Sequence, residues 1–123
     1  MHLDHIDHIG NFRCMEMDSA LAALAALAHP TRLDAFRLLV RHEPTGLTTG
    51  DLVAASGLTQ STFSTHLAVL AKSRLVTAEK RGRHQIQRAN IDTLRALMTF
   101  LAKDCCQGRP ELCEPLLADL VCC

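Results

Sequence analysis

Four turn signals divide the middle of this chain into short lengths, and they constrain the fold more than any other feature. Pro30 suits the first turn of a helix, where its missing N–H costs nothing. Pro44 and Gly46 close that helix, Gly57 closes the next, and Gly82 interrupts a basic stretch. A first helix is expected from an N-cap at Asp18 or Ser19 to about Ala28, in an Ala/Leu run that strongly favours helix. Leu21, Leu24 and Leu27 form a stripe there, read either as core or as a contact between subunits. Leu33, Phe36, Arg37 and Val40 carry the second helix. Thr48 or Thr49 caps a third helix through about Ser56, and Thr59 caps a fourth from Gln60 to Lys72.

The character then changes. Val76, Thr77 and Ala78 read as extended, Lys80-Arg81-Gly82-Arg83 as a turn, and His84 to Arg88 alternate with period two. Asn90 caps a last helix in which Leu94, Leu97, Met98 and Leu101 fall at i, i+3, i+4 and i+7. The chain has 123 residues, enough for one domain and not two. That domain is expected over 17–104. A flexible extension (1–16) precedes it and a cysteine-rich segment (105–123) follows.

Lys plus Arg and Asp plus Glu are both 13, so the formal charge is zero, which at first argues against a nucleic-acid partner. The distribution reverses that argument. Residues 1–30 carry −3, residues 31–88 carry +5 and residues 89–123 carry −2. Aromatics are 3% of the chain, too few for stacking single-stranded bases. The longest apolar run, Ala20 to Ala28, is well short of the roughly 20 residues of a membrane span. No basic segment followed by an apolar one opens the chain, so a cytoplasmic protein without membrane contact is expected.

Two helices, a third, a tight Gly-containing turn, a fourth helix and a basic hairpin follow the order of a winged helix-turn-helix. The expected fold is therefore mainly α with a β-hairpin wing. The fourth helix offers Gln60, Ser61, Thr62, Ser64, Thr65 and His66, polar groups short enough to meet phosphates and base edges of double-stranded DNA. Phe63, Leu67 and Leu70 occupy its opposite face. Lys80, Arg81 and Arg83 at the hairpin tip suit phosphates or the minor groove. A merely solvated polar face is the plain alternative. The polar helix, the turn and the cationic hairpin in succession favour DNA.

Six cysteines remain: Cys14, Cys105, Cys106, Cys113, Cys122 and Cys123. Cα atoms of adjacent residues lie about 3.8 Å apart, closer than a disulfide prefers, so the vicinal pairs suit a soft ion better than a bridge to each other.

Leu27-Ala28-His29-Pro30-Thr31-Arg32-Leu33, the stretch from Leu58 to Leu70, Leu75-Val76 and the Lys80-to-Arg88 hairpin together resemble the ArsR/SmtB family of metalloregulatory repressors, over roughly residues 18–103. The resemblance implies a homodimer built on the first and last helices, binding operator DNA and leaving it when an ion binds. On that basis the dimer contacts are Leu21, Leu24, Leu94, Leu97, Met98 and Leu101. Two of the family's sensing sites are missing. The third helix has no Cys-x-Cys, and no His follows Asp92 in the last helix. Cys105, Cys106 and Cys113 instead look like the arsenic-responsive members with three cysteines at the end of the last helix.

Gly108 and Pro110 turn the chain after the vicinal pair, which allows Cys113 to return over it. Trivalent arsenic or antimony takes three soft sulfurs in a pyramid, and three thiolates cancel its charge. Lys103 and Arg109 favour the thiolate forms. No organic cofactor is implied. A Zn(II) or Cd(II) response, with Cys122 or Cys123 as fourth ligand, and a thiol-redox response are the alternatives. Cys122 and Cys123 fit a second soft site, an auxiliary ligand pair or a frayed tail. Cys14 is a free thiol unless the partner subunit brings it near the cluster. His2, His5 and His8 are read as incidental, and His29 and His42 as structural. An enzyme is not expected: there is no Gly-rich phosphate loop, no Cys-x-x-Cys and no Cys-x5-Arg loop.

Overall fold

Helix α1 (Met17–Leu27) buries its alanines and not its leucines. In this computed structural model, which describes residues 15–102 and Pro115, Ala20, Ala23 and Ala26 are enclosed while Leu21 and Leu24 are 54% and 38% exposed. A seam of methyl groups lets helix backbones approach closely, and α1 lies against α2 (Pro30–Arg41), α4 (Gln60–Lys72) and α5 (Ile91–Ala102). The core reading of the leucine stripe is thereby corrected for Leu21 and Leu24. The N-cap is also earlier than expected. It is Glu16, with no side-chain cap, and Asp18 sits in the first turn where a carboxylate complements the helix dipole.

Pro30 opens α2 as expected. His29 is its N-cap, with Nδ1 accepting the Thr31 N–H at 3.1 Å. The inward line of α2 is Ala35, Phe36 and Leu39; Leu33 and Arg37 face out. The expected stripe is displaced because Arg37 has no buried partner to offset its desolvation. Thr48 caps α3 (Thr49–Ser56), its Oγ1 accepting the Asp51 N–H at 3.0 Å, and Gly57 ends it at φ 73°. Thr59 caps α4 by accepting the Thr62 N–H at 3.3 Å. Phe63 and Leu70 are buried beneath α4 with Leu39, Leu52 and Leu75, five side chains each worth about 2 kcal/mol of apolar burial.

The sheet has three strands where the sequence suggested two. β2 (Val76–Arg81) and β3 (His84–Ala89) form the expected antiparallel hairpin, with Arg81 opposite His84 across Gly82-Arg83 and Gly82 at φ 62°. β1 (Leu47–Thr48) adds to the other edge of β3, Leu47 opposite Gln87 and Thr48 opposite Ile86. Two residues carry no detectable periodicity. Gly46 makes this pairing feasible: at φ 75°, a Cβ there would lie 2.5 Å from the Gln87 carbonyl oxygen. Asn90 caps α5, its Oδ1 accepting the Thr93 N–H at 3.3 Å. The stripe on α5 splits. Leu97 is in the subunit's own core and Leu94 packs half-buried against it, while Met98 and Leu101 face outward.

Candidate nucleic-acid interface

The turn between α3 and α4 is held by one serine. Ser56 Oγ donates to the Val53 carbonyl at 2.7 Å and accepts the Leu58 N–H at 3.1 Å. With Gly57 in the left-handed region, this fixes the angle at which α4 leaves α3. Phe63 and Leu70 anchor α4 from below, so Gln60, Ser61, Thr62, Ser64 and Thr65 are presented outward together.

Their hydrogen-bonding capacity differs. Thr59 Oγ1 donates to Thr62 Oγ1 at 3.0 Å, and Thr65 Oγ1 donates back to the Ser61 carbonyl at 3.3 Å. Gln60, Ser61 and Ser64 have no side-chain partner among the described residues, which leaves their donors and acceptors for a ligand.

His66 departs from the expected reading face. Arg32 Nη1 donates to its Nδ1 at 3.1 Å, and its ring lies 4.4 Å from that of His29, tilted by 40°. Burial, with His29 and Arg32 beside it, holds its pKa below the ordinary histidine value. With Nδ1 engaged by Arg32, this half-buried ring joins α4 to α2. Neither residue spacing nor composition signalled this, because the partner lies 34 residues away.

The wing carries Lys80, Arg81 and Arg83, all exposed. Arg81 donates to Glu79 Oε2 from Nε at 3.1 Å and from Nη2 at 3.0 Å. Such an exposed pair is worth about 1 kcal/mol or less, so a phosphate exchanges for it at little cost. Lys80 and Arg83 have no ion pair among the described residues. Arg88 belongs elsewhere: its Nη2 donates to Glu43 Oε1 at 2.7 Å and its Nε to Oε2 at 3.3 Å. That pairing raises the Arg88 pKa. Gln87, buried in β3, donates from Nε2 to Thr49 Oγ1 at 3.1 Å and ties the wing to the start of α3.

A second surface is apolar. Met17, Leu21 and Leu24 on α1 and Met98 and Leu101 on α5 are the exposed large hydrophobics of two helices in contact. Four of the six expected dimer contacts point outward there; Leu94 and Leu97 serve the subunit's own core. The expected sensor thiols Cys105, Cys106 and Cys113 lie outside the described residues, as do Cys14, Cys122, Cys123, Lys103, Arg109, His2, His5 and His8. Among the described residues no three His, Cys, Asp or Glu side chains are grouped to hold a metal. No described helix is long and apolar enough to cross a membrane.

Comparison with known proteins follows this geometry. Residues 27–79, from the end of α1 through most of β2, match a helix-turn-helix domain family. An ArsR-like transcriptional regulator from Rhodococcus sp. RHA1 superposes with a TM-score of 0.66 at 22% identity, over 79% of this chain and 89% of that one. A protein described as a "possible transcriptional regulator for arsenical resistance" is 33% identical, with a TM-score of 0.58 over 80% of this chain and 95% of that one. A homodimeric winged helix-turn-helix DNA-binding domain from Mycobacterium bovis has a TM-score of 0.57 at 26% identity, over 72% of this chain and 82% of that one. No curated protein matches in sequence.

Proposed function

The chain belongs to the ArsR family of winged helix-turn-helix transcriptional regulators, and from that membership we propose that it is a homodimeric repressor that releases operator DNA when arsenite or antimonite binds Cys105, Cys106 and Cys113. As a member of that family it is a DNA-binding regulator and not an enzyme.

One observation carries the finer reading. Helix α5 is described as far as Ala102, with Met98 and Leu101 facing outward, and Cys105 follows three residues later in sequence. An ion that gathers thiolates there acts on the end of the helix that offers the apolar face. Three soft sulfurs match trivalent arsenic or antimony in number and in charge. The 33% identity to a protein described as a possible transcriptional regulator for arsenical resistance supports an arsenic ligand here.

Two subunits joined through α1 and α5 place two α4 helices for the half-sites of an inverted repeat in cytoplasmic DNA. Gln60, Ser61 and Ser64 meet the groove, and Lys80, Arg81 and Arg83 meet phosphates. Ligand binding shifts α5, and the spacing of the two reading heads changes with it. The coupling is reciprocal: operator DNA weakens arsenite binding by the same factor, about 5- to 150-fold for the usual range of coupling energies.

The test begins by selecting a duplex from a random library with the reduced full chain. Arsenite, antimonite, Zn(II), Cd(II) and a thiol oxidant are then added in turn to the complex. Arsenite and antimonite release the DNA at the lowest concentrations. Cys105→Ser, Cys106→Ser and Cys113→Ser each keep DNA binding and lose the response. Release by zinc, cadmium or oxidant, with arsenite inert, refutes the ligand assignment and points to one of the alternatives.

A further inference from the structure

We propose that Arg32 is a positioning residue that locks recognition helix α4 to the C-terminal end of α1 through a neutral His66, so that specific DNA binding requires an unprotonated ring at this joint. The inference rests on the chain being a DNA-binding regulator and not on which ion it senses.

Three nitrogens of Arg32 have three destinations. Nε donates to the Ala26 carbonyl, Nη2 to the Ala25 carbonyl at 3.4 Å, and Nη1 to His66 Nδ1 at 3.1 Å. The two carbonyls belong to the last turn of α1, where carbonyl oxygens lack their full helical partners and the dipole favours a cation. One planar guanidinium thus spans three helices: α1 by its end, α2 by its own backbone, and α4 by His66. An ammonium on a flexible stem has no such fork.

The donors settle the ring states. A guanidinium only donates, so His66 Nδ1 accepts. A backbone N–H only donates, so His29 Nδ1, which receives the Thr31 N–H at 3.1 Å, also accepts. His66 is therefore neutral at this joint, with its proton on Nε2. The groups facing His66 are accounted for by helix. α1 presents the Ala25 and Ala26 carbonyls through Arg32, and α2 presents Arg32 itself and His29. Among the described residues, no charge from α3 or β2 contributes at His66. A proton on His66 Nδ1 removes the acceptor and adds a second cation beside Arg32.

α1 carries outward-facing Leu21 and Leu24, and α4 carries the reading residues, so a joint between them sets how the reading heads are spaced. Apolar contacts under Phe63 and Leu70 hold α4 from below and are non-directional. A polar joint has direction. Its loss therefore reduces selectivity between sequences more than it reduces binding to DNA in general.

The experiment compares the full chain's affinity for its library-selected duplex with that for a scrambled duplex of equal length, at pH 7.5 and pH 5.5. The variants are His66→Gln, which keeps an acceptor that does not titrate, and Arg32→Lys. Charge gained elsewhere in the chain is common to wild type and His66→Gln, so the difference between their two ratios isolates the joint. The wild-type ratio falls as the His66 ring takes up its proton, by at most about tenfold, the weight of one hydrogen bond to a charged group. His66→Gln holds its ratio at both pH values. Arg32→Lys already has the lowered ratio at pH 7.5. If Arg32→Lys does not fold, the His66→Gln comparison decides alone. A ratio that falls equally in wild type and His66→Gln overturns the proposal.

Ring-nitrogen NMR of His66 gives a readout independent of DNA. The backbone amides of residues 60–64 must shift with its titration, and their indifference also overturns the proposal. A wild-type chain that selects no duplex sinks the operator-binding reading, and the amide test still judges the joint.

Discussion

Arg88 and Glu43 stand 45 residues apart in sequence and 2.7 Å apart in space, joined by two hydrogen bonds between guanidinium and carboxylate. The pair pins the base of β3 to the segment that leaves α2. Arg88 therefore supports the wing from behind and adds nothing to its tip. Glu43→Gln keeps the shape and removes the charge, so it lowers the urea midpoint of unfolding. The salt dependence of DNA binding is expected to stay as in wild type, because Arg88 holds the fold and not phosphate.

Two glycines with nearly the same φ separate backbone conformation from crowding. At Gly46 an added Cβ meets the Gln87 carbonyl oxygen, Arg88 Cγ and Ile86 Cγ2 within 2.9 Å; at Gly57 it meets nothing within 4 Å. Gly57→Ala costs about 1 kcal/mol, the left-handed penalty alone. Gly46→Ala adds a clash with backbone and costs about 3 kcal/mol. Urea denaturation of the two variants reads the difference.

At the wing tip, Lys80→Ala and Arg83→Ala each weaken binding to every duplex and reduce the salt slope by about one. Arg81→Ala has a smaller effect, since Glu79 already engages that guanidinium. Glu79→Ala strengthens binding about two- to fivefold by releasing Arg81, in line with the worth of an exposed pair. Titrations at three salt concentrations distinguish these outcomes.

On α1 the exposed leucines and the buried alanines answer differently to substitution. Leu21→Lys combined with Leu101→Lys leaves each subunit folded and shifts sedimentation to the monomer. Ala23→Leu forces a large side chain into a closed seam and costs about 1–3 kcal/mol of subunit stability. If the lysine pair sediments as a dimer, the outward faces of α1 and α5 are not the subunit interface.

Stability should also depend on pH through His66. Its folded pKa is lowered from 6.5, first by burial and then by His29 and Arg32. The unfolded chain therefore binds the proton more readily than the folded one. The contribution of the neutral ring is fully present above pH 6.5 and is lost as pH falls through the folded value. Urea midpoints measured between pH 5 and pH 8 decline on the acid side in wild type. In His66→Gln that part of the decline is absent.

What could be read from the sequence was whatever near neighbours decide. Thr48, Thr59 and Asn90 cap helices through N–H groups three residues on, Gly57 and Gly82 supply the positive φ of their turns, and the hairpin was legible though its turn is tighter than read, Lys80 and Arg81 ending β2 and Gly82-Arg83 making the turn. The order of these elements is the helix-turn-helix with its wing, and Cys105, Cys106 and Cys113 stand out by spacing and resemblance alone. The inward face of α4, with Phe63 and Leu70, was also legible, whereas tertiary structure decided which face of α1 and α2 is inside. Leucine recurs every third residue along α1 with alanines between, so that either stripe satisfies helical periodicity, and only the close approach of α2, α4 and α5 selects the smaller residue. The same holds for Leu97 against Met98 on α5, for β1 on the edge of β3, and for the contact of His66 with Arg32. Each depends on a partner supplied by a distant part of the chain, and a local pattern carries no record of that partner.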